Sequence, residues 1–167
     1  VFGVGGSIAV FFGLLDDIFE IKIRQKLIIQ FLLSSWVLFW FDGGSLANID
    51  WIPSLIGLLL SLLFLVWVLN AYNFMDGIDG MAVSGAMFAS GSIALIMILT
   101  NGSSMVLILS LILLACSSAF IFFNWSPATI FMGDAGSMFL GYIFGAYFIY
   151  TTMLNEVSIF TWVIIFS

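Results

Sequence analysis

Apolar residues run along this chain in blocks, broken at short intervals by clusters of acids, amides and glycines. The blocks cover 1–15, 27–41, 52–73, 81–100, 104–123, 136–154 and 157–167. A helix needs about 17–25 apolar residues to cross the hydrocarbon core of a bilayer. Blocks that are apolar on every side fit helices, whereas a barrel would alternate in segments of about ten residues. The pattern therefore predicts an all-α, polytopic transmembrane helix bundle with five complete spans and two truncated ones. The second block reaches spanning length if Lys22 to Lys26 form its polar first turns and snorkel to the interface. The chain begins at Val1 and stops at Ser167, each inside an apolar run. It reads as the central piece of a longer protein, with residues 1–167 forming one integral-membrane catalytic domain.

The polar breaks alternate between two faces. Two blocks separate the break at Asp16-Asp17 from the one at 76–80, and two more lead to 124–135. An even number of crossings returns the chain to the same side, so these three clusters share a face. The breaks at 42–50, 101–102 and 155–156 lie on the other. Lys22, Arg24 and Lys26 are the three basic residues, and all fall on the face with the clusters. By the positive-inside rule that face is cytoplasmic.

Composition narrows the class. With 63% hydrophobic and 7% charged residues and a mean hydropathy of +1.29, no soluble domain could cover so much apolar surface. The net charge of −6 gives no reason to expect a nucleic-acid partner. The single Cys116 lies in an apolar run and argues against a disulfide framework. No charged segment followed by a cleavage site opens the chain as a signal peptide would.

An acid near hydrocarbon costs about 2.5–3.5 kcal/mol on the insertion scale, so such residues mark working sites. The densest cluster is Asn70-Ala-Tyr-Asn-Phe-Met-Asp-Gly-Ile-Asp-Gly80. Asn73, Asp76 and Asp79 recur every three residues, so a continuing helix would put them on roughly one face. Their oxygens suit Mg²⁺, which takes one or two carboxylates plus waters and substrate phosphates; they also suit ribose hydroxyls or a uracil edge. Adjacent Asp16 and Asp17 repel unless a divalent cation or a raised pKa relieves them, or unless they are simply solvated at a helix end. Lys22, Arg24 and Lys26 read as interfacial anchors or as a phosphate-attracting rim. The third cluster runs from Phe123 to Ser137, shaped by Pro127. Within it Asp134 stands at the start of the next span, as an N-cap or beside a bound phosphate. Trp36, Trp40, Trp51, Trp67, Trp125 and Trp162 fit an aromatic belt or lipid-facing positions. The small residues of 84–92 fit close helix packing, and Asp42, Asp50 and Glu156 read as loop acids of the far face.

NAYNFMDGIDGMA (70–82), FNWSPATIFMGDAGSMFLGY (123–142) and LLDDIFEIKIRQKLIIQ (14–30) resemble the three central signatures of the polyprenyl-phosphate N-acetylhexosamine-1-phosphate transferases, glycosyltransferase family 4. That family includes the phospho-MurNAc-pentapeptide translocases of peptidoglycan synthesis and the GlcNAc-1-phosphate transferases of O-antigen and teichoic-acid synthesis. The wording NFMDGIDG and FNWSPA is most similar to the O-antigen branch. The resemblance implies transfer of a sugar 1-phosphate from a UDP-HexNAc such as UDP-GlcNAc to undecaprenyl phosphate, releasing UMP. It also implies Mg²⁺, with Mn²⁺ as a substitute, a location in the bacterial inner membrane, and compatibility with a homodimer.

Carried over by motif, Asp134 is a magnesium ligand and Asn73 a second. Asp16 and Asp17 stand by the lipid phosphate, one of them as a base. Asp79 meets the uracil edge and Phe131 its face, with Asp76 and Asn124 in the same nucleotide pocket. Lys26 binds phosphate. Because a phosphate acceptor is already ionised at neutral pH, the Asp pair is expected to act by placement more than by proton removal. Full-length members also carry histidine-containing cytoplasmic loops before and after this region, and this chain has no histidine; the fragment alone is expected to be inactive. Peptidoglycan-precursor transfer is the alternative within the family. An ion or proton transporter is the alternative outside it, but transport predicts acids near span midpoints and often an internal repeat.

Overall fold

A computed structural model of the chain describes residues 1–41 and 54–166. Its helices are α1 (Phe2–Phe19), α2 (Ile23–Trp40), α3 (Ser54–Met75), α4 (Met81–Thr100), α5 (Ser104–Asn124), α6 (Gly133–Met153) and α7 (Ile159–Ile165). Among the described residues there is no strand. The chain is an all-helical, polytopic membrane bundle, as the block pattern predicts. Asp42, Asp50 and Trp51 lie outside the described residues.

Boundaries follow local chemistry. Glu20 closes α1 in the left-handed region, its N–H bonded to the Asp16 carbonyl. α3 stops at Met75, before Gly77, and Gly80, at φ 74°, leads into α4. Only residues that tolerate positive φ can make that turn without strain, and glycine does so best. α1 runs four residues past its apolar block, so Asp16 and Asp17 sit in its last turn, at the span end where the sequence puts them.

α1, α3, α4 and α5 are long and apolar enough to cross a membrane. α6 is less apolar because it faces protein. Its buried residues run almost without break from Ser137 to Thr152 and include Tyr142, Tyr147, Thr151 and Thr152. Both α1 and α3 pack on α6, α2 rests on α3, and α4 pairs with α5. Two glycines permit the closest crossings. A Cβ at Gly13 would lie 2.4 Å from the Ala135 Cα, and one at Gly141 would lie 2.8 Å from the Leu69 Cα. With lipid as apolar as leucine, close backbone approach of this kind drives association. α4 packs on α5, with its small residues Ala86, Ala89 and Ser90 buried and Gly91 in ordinary contact distance of the Leu114 side chain.

One belt assignment is overturned. Trp162 is completely buried, stacks on Phe166 and donates its indole N–H to the Thr151 hydroxyl at 3.0 Å. An indole has one donor, and an internal hydroxyl satisfies it as well as an interfacial water would.

Candidate active site

The three polar clusters meet at one end of the bundle, where α1, α3 and α5 finish and α2, α4 and α6 begin. At their centre is Lys26, in the first turn of α2. Its ammonium lies 2.7 Å from Asp16 Oδ2 and 3.0 Å from Asp134 Oδ1. Asn73, in the last turn of α3, donates from Nδ2 to the same Asp134 oxygen and to Ser137 Oγ at 3.2 Å. Asp16 is 8% exposed and Asp134 26%. One cation is thus shared by two carboxylates from different helices, which leaves a net negative charge in a partly buried place.

Asp17 faces elsewhere. Its carboxylate accepts the backbone N–H groups of Asp134 at 2.8 Å and Ala135 at 3.1 Å. It therefore caps α6 from a different helix. This replaces the reading of Asp134 as an N-cap: Asp134 is already inside α6, and its side chain turns to Lys26 and Asn73. Asp76 accepts a backbone hydrogen bond from Gly133. Burial pushes its carboxyl above the ordinary carboxylate range; the Gly133 N–H opposes this, and the Asp134 and Asp17 charges reinforce it.

The remaining predicted residues form the rim. α3 ends before Asp76, so Asn73, Asp76 and Asp79 do not lie on one continuing helix face. Asp79 instead reaches the third cluster, its Oδ2 accepting the Ala128 N–H at 3.1 Å. Its other oxygen has no hydrogen bond among the described residues. Asn124 is buried and ties two segments together, accepting from the Gly80 N–H at 3.1 Å and donating to the Ile130 carbonyl at 3.0 Å. Phe131 is 68% exposed. Ser137 was not singled out by sequence, though its place three residues after Asp134 in a helix signalled a shared face.

The cluster fits a divalent cation. It already holds one positive charge between Asp16 and Asp134, and the Asn73 amide, if turned, presents an oxygen there. Two carboxylates and an amide leave room for the waters and phosphates that Mg²⁺ prefers. Among the described residues no group of three or more His, Cys, Asp or Glu side chains forms an all-protein metal cage.

Residues 1–152 match the sequence profile of Glycosyl transferase family 4. The chain belongs to this family. Among curated relatives, a probable undecaprenyl-phosphate N-acetylglucosaminyl 1-phosphate transferase of Bacillus subtilis is 35% identical over 147 residues, covering 83% of this chain and 40% of that protein. A phospho-N-acetylmuramoyl-pentapeptide-transferase of Clostridioides difficile is 32% identical over 166 residues, covering 89% of this chain and 51% of the relative. The corresponding protein of Petrotoga mobilis is 33% identical over 168 residues, with 90% and 51% covered. The chain thus spans about half the length of the relatives it matches. The family match takes in α1 to α5 and nearly all of α6, hence every residue of the Lys26 cluster.

Proposed function

We propose that the protein transfers a HexNAc 1-phosphate from a UDP-HexNAc, UDP-GlcNAc or a close relative, to undecaprenyl phosphate. The reaction would take place on the cytoplasmic face of the bacterial plasma membrane and start a cell-envelope polysaccharide. The observation that carries this reading is the Lys26 ammonium held between Asp16 and Asp134 at a helix-bundle end. An oxygen of the lipid phosphate attacks the β-phosphorus of the nucleotide sugar. The bond from that phosphorus to the bridging oxygen breaks, and UMP leaves with the oxygen. Both reactants are anionic, so positioning and charge neutralisation account for most of the required rate.

The chain's residues divide this work. Lys26 offers its cation to the phosphates, and Asp17 fixes the first turn of α6 that carries Asp134. Asp134, Asn73 and Asp16 would hold Mg²⁺ or Mn²⁺. When bound, that ion neutralises charge on the phosphates and orients them. Asp76, the open oxygen of Asp79 and the exposed ring of Phe131 supply hydrogen bonds and a stacking face for uridine, with Asn124 shaping the loop that carries Phe131. All these groups sit at helix ends, which supports surface chemistry over a transport path through the bilayer centre.

A second donor, UDP-MurNAc-pentapeptide, is supported by the similarity to the pentapeptide-transferases. The test uses the full-length parent protein in membranes containing undecaprenyl phosphate, following UMP release with and without Mg²⁺. Metal-dependent release from UDP-GlcNAc that disappears in Asp134→Asn supports the first reading. Release only from UDP-MurNAc-pentapeptide moves the branch. No UMP from any donor overturns the transferase reading.

A further inference from the structure

We propose that Gln30 and Asn70 are positioning residues: their paired amides set the register of α2 against α3 and so bring Lys26 and Asn73 together at Asp134. The pair lies outside the charged cluster. Asn70 Nδ2 donates to Gln30 Oε1 at 2.8 Å, and Gln30 Nε2 donates back to Asn70 Oδ1 at 3.3 Å. A second Asn70 Nδ2 bond, to the Val66 carbonyl at 2.8 Å, anchors that amide to its own helix. Gln30 is fully buried.

Spacing gives the pair its leverage. Gln30 stands four residues after Lys26 on α2, and Asn70 three residues before Asn73 on α3. Residues three and four apart share a helix face. The amide pair therefore sits one turn into the membrane beneath the two side chains that converge on Asp134 Oδ1. If α2 slid by one turn, about 5.4 Å, Lys26 would lose both carboxylates.

Among the described residues, no other direct polar contact between α2 and α3 specifies register. The buried face of α2 beyond Gln30 is Leu33, Ser34, Val37 and Leu38, against a largely apolar α3. Apolar helices in lipid gain little by choosing one register, since lipid competes equally well. The Ser34 and Ser61 hydroxyls are buried without a partner, so they do not link the helices. Among the described residues, the Gln30–Asn70 bonds are the only side-chain hydrogen bonds between α2 and α3. A single buried polar pair fixes register in coiled coils for the same reason: every other alignment leaves it unpaired.

The inference rests on the transferase reading for its rate readout but not for its geometric one. The full-length protein in membranes would be compared with Gln30→Met, Asn70→Leu, the double variant and the swapped pair Gln30→Asn/Asn70→Gln. The first readout is acylation by an amine-reactive reagent, resolved by residue. Lys22 is exposed and has no ion pair among the described residues, so it serves as the reference, whereas Lys26 is held by two carboxylates. The Lys26-to-Lys22 labelling ratio is expected to rise severalfold in both single variants, to rise no further in the double variant, and to fall back in the swap. The second readout is UMP release, with kcat expected to fall about 10- to 100-fold while KM for the UDP-sugar stays nearly constant. A labelling ratio unchanged in the single variants overturns the proposal even where kcat falls. If wild type releases no UMP, the transferase reading fails and the labelling ratio still decides register. If the single variants do not fold, the swap decides alone: a wild-type ratio supports the pairing, and an exposed Lys26 in a folded swap overturns it.

Discussion

The carboxylate of Asp17 accepts the backbone N–H of Ala135 at 3.1 Å, joining the last turn of α1 to the first turn of α6. With the matching bond from Asp134 N–H, it satisfies two of the donors that a helix N-terminus leaves open. The acidic pair therefore divides its labour. Asp16 faces Lys26 and Asp134, while Asp17 holds the helix that carries Asp134.

Loss of that cap should be visible in stability. Asp17→Ala is expected to destabilise the fold by about 0.5–2 kcal/mol, as cap removal does elsewhere. Asp17→Asn retains one acceptor oxygen and should fall in between. Thermal unfolding of the full-length protein in detergent checks the order. UMP release should follow the same order, while Asp16→Asn should lose rate out of proportion to its effect on unfolding. Equal stability of Asp17→Ala and wild type would remove Asp17 from the positioning role.

The Gly13 crossing gives an independent handle on the same geometry. A methyl group there would meet the Ala135 Cα and the Asp134 carbonyl oxygen, each at 2.4 Å. These are backbone atoms that no rotamer change can move. Gly13→Ala should cost about 1–3 kcal/mol and reduce turnover by spreading α1 from α6. Gly3→Ala, with nothing within 4 Å of its Cβ, is the matched control and should behave as wild type.

Lys26 and a divalent ion compete for the same oxygens. Lys26→Met leaves Asp16 and Asp134 without their shared counter-charge, so in EDTA the variant should melt below wild type. Added Mg²⁺ or Mn²⁺ should restore more of its melting temperature than it adds to wild type, because binding the folded state alone raises apparent stability. Equal metal-induced shifts in the two proteins would argue against Asp16 and Asp134 as ligands.

Asp76 gives a pH dependence of defined sign. Burial raises its carboxyl above the ordinary value of 3.8, so between that value and its folded pKa the native state holds a proton that the unfolded chain releases. Its contribution thus favours the fold at low pH and is lost as pH rises through this window. Asp76→Asn keeps an acceptor for the Gly133 N–H and carries no charge. Without metal, it should melt at or above wild type at neutral pH, with the difference shrinking toward zero below pH 3.8. A difference that grows on acidification would reverse the assignment.

Much of this site was legible before any coordinates. Helices follow from blocks apolar on every face, because an unpaired backbone cannot cross hydrocarbon. The meeting of Asp16, Asn73 and Asp134 at one end follows from counting crossings, since parity needs no knowledge of packing. Trp162 shows where such reasoning stops. Its amphipathic ring suits an interface and a hydroxyl-lined interior alike, and only the position of Thr151 separates the two.

Apolar blocks, crossing parity and motif spacing are enough to predict the bundle, the shared end of its three polar clusters and the family. Tertiary structure decided which oxygen faces which partner. Neighbouring residues on a helix do not face the same way, so Asp16 and Asp17 had to part, but the direction each took depended on how closely α1 approaches α6 at Gly13. The amide link between Gln30 and Asn70 joins residues 40 positions apart. No local pattern encodes it, because each amide alone is only a polar interruption in an apolar run, and its partner exists only once two helices have chosen their register.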